Sequence, residues 1–387
     1  MNLSLSDLKK RLQATNLWGL LARQADEAKI VAILNSEGFI FSNADAVRIL
    51  KGHQEGQRYG SAVLTRRLPT DTRQRFIKVL LDGTLETFRP FRRQVLVTDA
   101  LHRAKHFDGS TVEVVKYSFL PPLPYAIFET RDSGGNFGFM DDTAESYSSI
   151  SPTNMQQLVQ AIYSFHNAAP QIQGQALKSV QKLSSRLSFY QRKLEKTLDK
   201  TITHKTEAGR KAVFSVEELL VKYTRIPNIR SRIISQLAQG FERVEKSCVQ
   251  SQQSYLVHAD MQIDNVYKYR NGSIELLDFE WVGIVDSPMI AIMYDYGNLR
   301  TRAWSSPEFQ RLLDETMLRI GINVYPDQRQ MVTEALRLGR LFSSTSMSRY
   351  FLDYENTIKN DKRTEQQYYQ MYANSTQTLK QTLDDIS

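Results

Sequence analysis

Apolar residues recur at strand-like spacing in the first third of the chain and at helix-like spacing afterwards. Strands, separated by breaks that contain glycine or proline, are predicted at 46–50, 61–68, 75–81, 111–119 and 125–129. One helix interrupts them, because Pro90 is typical of a first helical turn and the helical pattern continues to about residue 105. The leading segment, 1–44, carries leucines at helical spacing and is expected to form a helical extension.

From Gly138 onwards, apolar residues three and four positions apart predict mainly helices. The clearest helical patterns lie at 155–168, 216–223 and 233–249. A strand-rich segment, 255–286, interrupts the helices, which are then predicted to continue to the C-terminus. This order of elements predicts an α+β fold with a strand-rich domain at 45–130 and a larger, mostly helical domain at 131–387.

Charge is concentrated in one part of the 387-residue chain. Residues 175–247 contain 16 Lys or Arg and 7 Asp or Glu, which gives +9, whereas the whole chain carries +8. Such a segment is compatible with a solvated helix face or with binding to an acidic partner. Nucleic acid is not expected as a partner, because no base-reading module is recognisable.

Cysteine content and hydropathy exclude further classes of protein. The single cysteine, Cys248, excludes an internal disulfide and a metal site built from cysteines. No apolar run approaches the length of a membrane span, so no association with a membrane is expected. The first residues also lack the apolar centre of a signal peptide, and a cytoplasmic protein is therefore expected.

The most informative segment is a predicted hairpin around Asn271 and Gly272, the dipeptide most typical of a two-residue type I′ turn. With these two residues as the loop, Asn265 and Asp278 become cross-strand partners. Their Cβ atoms would then lie about 4.5–5.5 Å apart. A carboxylate and an amide oxygen at that separation can share a hard cation such as Mg²⁺.

A second acidic residue, Asp260, lies five positions before Asn265 in a loop that follows the apolar run 255–257. A carboxylate in such a loop can accept a proton from a substrate hydroxyl. His258 is better placed to brace this loop than to react. The alternative is that the acidic residues are ordinary turn and strand-end residues.

The pattern His258-x-Asp260-x-x-x-x-Asn265, followed by Leu-Asp-Phe-Glu at 277–280, resembles the catalytic loop and metal motif of the aminoglycoside phosphotransferase and choline kinase family. That family has a bilobal protein-kinase-like fold and uses ATP and Mg²⁺. The resemblance implies that Asp260 is the base that orients the acceptor hydroxyl, within a catalytic loop that includes His258. It also implies that Asn265 and Asp278 are the metal ligands.

Lys78 gives weaker support from the strand at 75–81, where its neighbours are apolar. In kinases a lysine at the corresponding place pairs with the nucleotide phosphates, whereas an edge-strand lysine would face water. The kinase lysine usually also pairs with a glutamate on the next helix. Here the best-placed helical residue is Gln94, and Glu86 precedes Pro90 and is expected to precede the helix. The partner of Lys78 therefore stays open.

Other nucleotide-binding residues are expected from their place in the resemblance. Gly52, Gly56 and Gly60 suit a flexible loop over the phosphates, although their spacing is equally typical of a plain hairpin loop. Glu129 and Arg131 fall where the family has its interlobe hinge, at which backbone groups meet adenine.

Two further features of the helical part have a weaker signal. His166 lies in a helix similar to a histidine-containing helix of the family, and a packed histidine is expected there rather than a metal ligand. The Asp-Tyr-Gly-Asn run at 295–298 resembles a choline kinase run, but it lies further from Asp278 than the family pattern requires.

The leading hypothesis is an ATP- and Mg²⁺-dependent phosphotransferase that acts on the hydroxyl of a small molecule, such as an amino sugar, amino alcohol or sugar. Segment 170–250 would form much of the wall of the acceptor pocket, and its positive charge favours a neutral or acidic acceptor. The alternative is a non-catalytic nucleotide-binding or scaffold protein that holds an acidic partner through the basic helices.

Overall fold

The structure is a computed structural model, and its elements are numbered here along the chain. It describes residues 59–64, 75–80, 85–104, 111–120, 124–130, 135–136, 150–248, 253–268, 273–360 and 363–384. The strands are β1 Tyr59–Leu64, β2 Arg75–Leu80, β3 Glu113–Ser118, β4 Tyr125–Glu129, β5 Gly135–Asn136, β6 Gln181–Lys182, β7 Thr201–Lys205, β8 Lys211–Ser215, β9 Tyr255–Val257, β10 Val266–Lys268, β11 Ile274–Leu276 and β12 Gly283–Val285. The helices are α1 Leu85–His102, α2 Pro152–His166, α3 Gly174–Ser179, α4 Leu187–Leu198, α5 Val216–Thr224, α6 Ile229–Cys248, α7 Pro288–Arg302, α8 Pro307–Val324, α9 Arg329–Phe351 and α10 Glu365–Asp384.

The chain divides into two compact units. The first, strand-rich unit contains the described residues up to Gly135 together with Gln171–Gln181 and Tyr267–Val282. The second, mainly helical unit contains Asn136–Pro170, Lys182–Val266 and Gly283–Ser387. The α+β fold class, with a strand-rich part and a larger helical part, is thereby confirmed.

An antiparallel sheet in the order β1-β2-β4-β3 forms the centre of the strand-rich unit. Strand β4 coincides with its predicted range, and β2 and β3 differ from theirs by at most two residues at either end. Strand β1 begins at Tyr59, two residues before the prediction. The predicted strand at 46–50 and the predicted extension at 1–44 lie outside the described residues.

Helix α1 covers this sheet, and it begins earlier than predicted. Its first residue is Leu85, so Pro90 is the sixth residue of the helix and Glu86 is exposed in the first turn. Pro90 has no N–H for the Glu86 carbonyl, which costs the helix one internal hydrogen bond. Burial of Phe91 and Val95 against β2 and β4 offsets that loss.

The helical unit confirms the helices predicted around 155–168, 216–223 and 233–249, which are α2, α5 and α6. The segment 170–250, which was expected to be helical, also contains the short strand β6 and an antiparallel hairpin of β7 and β8. Gly209 has a φ of 78° in the turn, a conformation that favours glycine. Within the described residues, no helix is both long and apolar enough to cross a membrane.

Helices α7 and α9 approach each other closely at two glycines. A Cβ atom built on Gly297 would lie 2.5 Å from the backbone oxygen of Gly339. One built on Gly339 would lie 2.7 Å from the backbone oxygen of Met293. The second approach is also to backbone, so neither contact can be relieved by turning a side chain.

We expect Gly297→Ala to destabilise the protein by at least about 2 kcal/mol, because the added methyl group forces the two helix backbones apart. In an uncrowded helix the same change stabilises by up to about 1 kcal/mol, so the sign of the effect is diagnostic. Urea unfolding measures it, with the exposed Gln330→Ala on α9 as the control, for which a change within about 0.5 kcal/mol is expected. A stabilising Gly297→Ala would contradict the close approach.

Candidate active site

Lys78 is the centre of a polar cluster in the strand-rich unit. Its Nζ donates to Oε1 of Gln94 at 2.8 Å and to Oε1 of Glu280 at 2.5 Å. It also lies 3.2 Å from Oδ1 of Asp278, a residue 200 positions later in the chain. Strand β2 lies between β1 and β4, so Lys78 projects from an interior strand and only 14% of its side chain is exposed. The prediction of a lysine that does not face water is confirmed.

These contacts decide which residue partners Lys78. Lys78 contacts Gln94 of α1, the helix on which kinases usually carry a glutamate partner for this lysine. The carboxylate that pairs with Lys78 comes from Glu280 instead. Glu86 is exposed and does not take that role. The ion pair is therefore formed by the residue that closes the Asp-Phe-Glu run rather than by the helix.

Arg93, the neighbour of Gln94 on α1, fixes the segment that carries Glu280. Its Nη1 donates to the backbone oxygen of Glu280, and its Nε donates to the backbone oxygen of Ser179 at 2.8 Å. Two consecutive residues of α1 thus hold the segment around Glu280. Arg93 binds the backbone of Glu280, and Gln94 binds Lys78, which in turn pairs with the Glu280 carboxylate. The guanidinium is buried, so these bonds are shielded from water.

Burial raises the pKa of Glu280, and the nearby Asp278 carboxylate raises it further, while Lys78 acts in the opposite direction. Asp278 has a φ of 61°, in the left-handed region that non-glycine residues rarely adopt. Two acids and one base thus share a small, half-buried space. Like charges so close favour a site that binds an additional cation.

A buried carboxylate in the helical unit holds the predicted catalytic loop. Asp295 of α7 accepts the backbone N–H of His258 at 2.8 Å and that of Ala259 at 2.9 Å. It also lies 3.0 Å from Nε2 of His166. Asp295 and both histidines are fully buried, so His166 is a packed histidine, as expected. Of the two loop residues held by Asp295, His258 contributes its backbone N–H and packs its ring near Phe165.

The loop itself is bent sharply between His258 and Asp260. Ala259 has a φ of 63°, although alanine has no local reason to adopt the left-handed conformation. Asn298 of α7 donates to the backbone oxygen of Ala259 at 3.1 Å, so contacts with α7 fix both sides of this peptide. Strained backbone of this kind is common where a side chain must be presented in one orientation.

Asp260, at the end of this bend, forms an ion pair with Arg302. Nη2 of Arg302 lies 2.9 Å from Oδ1 of Asp260, and Nη1 donates to Oε1 of Gln262 at 2.6 Å. Nδ2 of Asn265 donates to the backbone oxygen of Asp260 at 2.8 Å. Asp260 and Asn265, both of which the sequence motif indicates, are therefore joined by a direct hydrogen bond.

Asn265 and Asp278 have the chemistry of Mg²⁺ ligands. Because the Asn265 amide nitrogen is committed to the Asp260 backbone, the side-chain oxygen of Asn265 stays available to a cation. Within the described residues, no three His, Cys, Asp or Glu side chains form a complete metal site. The role of Asn265 and Asp278 as ligands of one cation stays a prediction. Strands β10 and β11 are neighbours in a sheet, as predicted, and the facing register of Asn265 and Asp278 stays a prediction.

The remaining predicted nucleotide-binding residues fall in three situations. Gly60 lies within β1, opposite Val79 of β2, and not in the loop before the strand, because β1 begins at Tyr59. Glu129 is buried at the end of β4, where its carboxylate pairs with Arg75 of β2. Gly52, Gly56 and Arg131 lie outside the described residues.

Sequence reasoning missed the roles of Asp295, Arg302 and Glu280. Each acts through a contact with a residue at least 35 positions away, and no local pattern indicates such a contact. In the sequence, the run at 295–298 matches the family pattern only imperfectly. Its aspartate at the centre of an otherwise apolar helix was the available signal, since a buried carboxylate needs donors.

Solved structures similar to this chain are small-molecule kinases of the group that the motif resembles. The ethanolamine kinase of Plasmodium vivax is 13% identical, with a match covering 100% of this chain and 96% of that one and a TM-score of 0.46. An amicoumacin kinase, solved with AMP-PNP and Ca²⁺, is 13% identical, with coverage of 84% and 86% and a TM-score of 0.48. The aminoglycoside phosphotransferase APH(4)-Ia is 13% identical, with coverage of 89% and 100% and a TM-score of 0.45.

No protein-family model and no curated protein sequence matches the chain. Because the TM-scores lie below 0.5, the likeness to these kinases assigns neither an activity nor a substrate to this protein. The functional assignment depends instead on the side chains of the two clusters.

We expect Asp295→Asn to destabilise the protein by roughly 2–4 kcal/mol. The amide would replace one acceptor oxygen by a donor that faces a backbone N–H, and it would remove the charge that strengthens both bonds to the loop. Thermal and urea unfolding measure the loss. Asp327→Asn, at an exposed aspartate between α8 and α9, is the control. Equal stability of the two variants would show that Asp295 does not hold the loop.

Glu280→Gln tests the raised pKa of Glu280. Because folding raises this pKa, the wild type binds its proton more tightly when folded and loses stability as the pH rises above about 4.3, the ordinary glutamate value. The side chain of the Glu280→Gln variant carries no such proton and does not titrate in this range. We therefore expect the stability of Glu280→Gln relative to wild type to increase between about pH 4 and pH 8, by about 1.4 kcal/mol for each tenfold difference in proton affinity.

Unfolding free energies across this pH range give the result, with the exposed Glu113→Gln on β3 as a matched substitution. A difference between wild type and Glu280→Gln that is independent of pH would contradict the raised pKa.

Proposed function

We propose that this protein is an ATP- and Mg²⁺-dependent phosphotransferase that moves the γ-phosphate of ATP to a hydroxyl group of a small molecule. The observation that carries the proposal is the pairing of Lys78 with Asp278. A lysine from an interior strand and a carboxylate 200 residues later meet at 3.2 Å, within a motif that kinases use for phosphates and metal.

Each residue has one task in this proposal. Lys78 would bind phosphate oxygens of ATP, and Gln94 and Glu280 would hold its ammonium group in place. Asp278 and Asn265 would hold Mg²⁺, which supplies neutralisation of phosphate charge when it is bound. Positioning and charge stabilisation account for most of the catalysis in this class of reaction.

Asp260 would act on the acceptor. Its carboxylate would accept the proton of the acceptor hydroxyl while the hydroxyl oxygen forms a bond to the γ-phosphorus. The bond between that phosphorus and the oxygen bridging to the β-phosphate breaks, ADP leaves, and the proton then passes from Asp260 to water. The contacts of Ala259 with Asp295 and Asn298 support this role, because they fix the peptide that precedes Asp260.

A thermal melt with and without ATP and Mg²⁺ tests nucleotide binding. At about a hundred times the dissociation constant, ATP is expected to stabilise the wild type by about 2.7 kcal/mol, a shift of a few degrees. Lys78→Ala and Asp278→Ala should lose most of the shift. Lys178→Ala, at an exposed lysine of α3 in the same unit, should keep it.

Asp260→Asn separates binding from transfer. The variant should keep the ATP-dependent shift while ADP release in the presence of mixed hydroxyl acceptors falls by about 10² to 10⁴-fold. A wild type that binds ATP but forms no phosphorylated product with any acceptor would favour the non-catalytic alternative. A wild type with no ATP-dependent shift would remove the proposal.

A further inference from the structure

A cavity of about 850 Å³ lies within the helical unit, next to the predicted catalytic loop. Residues of the loop line one side of it, among them Ala259, Gln262 and Asp264. Arg302, which contacts both Asp260 and Gln262, lines it as well. The volume is within the range of about 300–1,000 Å³ that is usual for small-molecule sites.

The lining of this cavity is strongly cationic. Its basic residues are Lys193, Lys196, Arg302, Arg349 and Arg363. Asp264 is the one acidic residue among the described residues that line it. Taken at pH 7, these side chains give the wall a formal charge of +4.

Aromatic and hydroxyl groups, and not carboxylates, hold two of these cations. Nζ of Lys193 donates to the hydroxyl of Tyr294 at 2.9 Å and lies 5.3 Å from the centre of that ring. It also lies 5.2 Å from the ring centre of Phe342. The guanidinium of Arg349 lies over the ring of Tyr350, with 4.5 Å to its centre, and donates to its hydroxyl. Such contacts orient a cation and leave its charge in place.

The charge of three lining residues is therefore not compensated locally. Among the described residues, no carboxylate lies within 4 Å of Lys193, Lys196 or Arg349. An ammonium-bearing acceptor would meet repulsion from them, and Asp264 is the one carboxylate among the described lining residues that could pair with it. An anionic group would gain charge-assisted hydrogen bonds from the same side chains.

We propose that this cavity binds the acceptor and selects a small hydroxylated anion, whose phosphate or carboxylate is held by Lys193 and Arg349 while its hydroxyl is presented to Asp260. The assignment of the cavity to the acceptor rests on the proposed phosphotransferase function. Its selectivity for anions follows from the lining charges alone. The flat aromatic walls, which include Tyr294, Phe342 and Trp304, suit the apolar faces of a sugar or ring.

The first experiment measures binding to the wild-type chain without nucleotide, by calorimetry. Glucose 6-phosphate, gluconate, glucose and glucosamine are the probes, because they share a carbon skeleton and differ in charge. We expect both anions to bind at least about tenfold more tightly than glucose, and glucosamine to bind most weakly. The affinity of the anions should fall as salt is added. Comparison of the two anions distinguishes a phosphate from a carboxylate ligand.

Lys193→Gln and Arg349→Gln should each weaken binding of the preferred anion by about tenfold. Lys193→Glu lowers the formal charge of the wall from +4 to +2 and should weaken binding of the anions more than Lys193→Gln does. Lys222→Gln is the matched control, because Lys222 also lies over aromatic rings, those of Phe214 and Tyr223, but does not line the cavity. Melting temperatures of all four variants verify that the fold is intact, which is expected because Lys193 is exposed.

Glucosamine binding as tight as that of the anions, or an equal effect of Lys193→Gln and Lys222→Gln, would overturn the proposal. Absence of anion binding at millimolar concentration would overturn it too. These results are independent of the ATP test. If the anions bind more tightly than glucose and glucosamine but ATP causes no melting shift, the anion site is supported and the proposed kinase function is contradicted. If ATP causes a melting shift and glucosamine is phosphorylated, the kinase function is supported and the selectivity for anions is contradicted.

Discussion

The presentation of Asp260 depends on one buried carboxylate, that of Asp295. It holds two successive backbone N–H groups of the loop that leads to Asp260, and a left-handed alanine lies at the second of them. A left-handed residue other than glycine costs roughly 1–2 kcal/mol, which two charge-assisted hydrogen bonds can offset. The conformation of the loop is thus imposed by helix α7 and is not preferred by the loop sequence itself.

This dependence continues into the packing of the helical unit. Asp295 can reach the loop only if α7 is fixed, and nearly every residue of α7 is buried. At the crossing with α9, the backbones of the two helices approach closely at Gly297 and Gly339, which holds α7 in place. A change at this crossing would consequently act on Asp260 through Asp295.

The sequence predicted best those features that local physics determines. The hairpin of β10 and β11 follows from Asn271-Gly272 between apolar runs, and strand β4 follows from an unbroken apolar run. The partner of Lys78 could not be predicted, because Gln94 and Glu280 reach it from segments 16 and 202 residues away. Only folding brings these segments together.

The start of α1 and the β7–β8 hairpin were missed for a related reason. In α1, burial of the aromatic and branched residues after Pro90 outweighs the signal of a proline that is usual in a first turn. In the hairpin, the left-handed Gly209 permits a turn in a segment whose charge pattern is equally typical of helices. In both places the local sequence is compatible with two structures, and packing against the rest of the fold determines which of them forms.

Net charge along the chain and charge in the cavity have different origins, so the positive charge of the segment 175–247 does not by itself account for the positive wall of the cavity. Of the 16 basic residues in the segment 175–247, several are neutralised by carboxylates. These pairs include Lys205 with Glu365, Lys211 with Glu355, Arg230 with Glu217, and Arg243 with Glu334.

Of the described basic residues in this segment, Lys193 and Lys196 line the cavity. The other cations of the wall come from α7, from α9 and from the turn before α10. The positive wall is therefore assembled from four separate parts of the chain. A bound ligand interacts with the side chains of the cavity wall rather than with the net charge of residues 175–247, because exposed charges more than about 8–10 Å away are screened by salt. Selectivity for an anion would accordingly be a property of the fold, and a cation-binding relative could carry an equally basic segment.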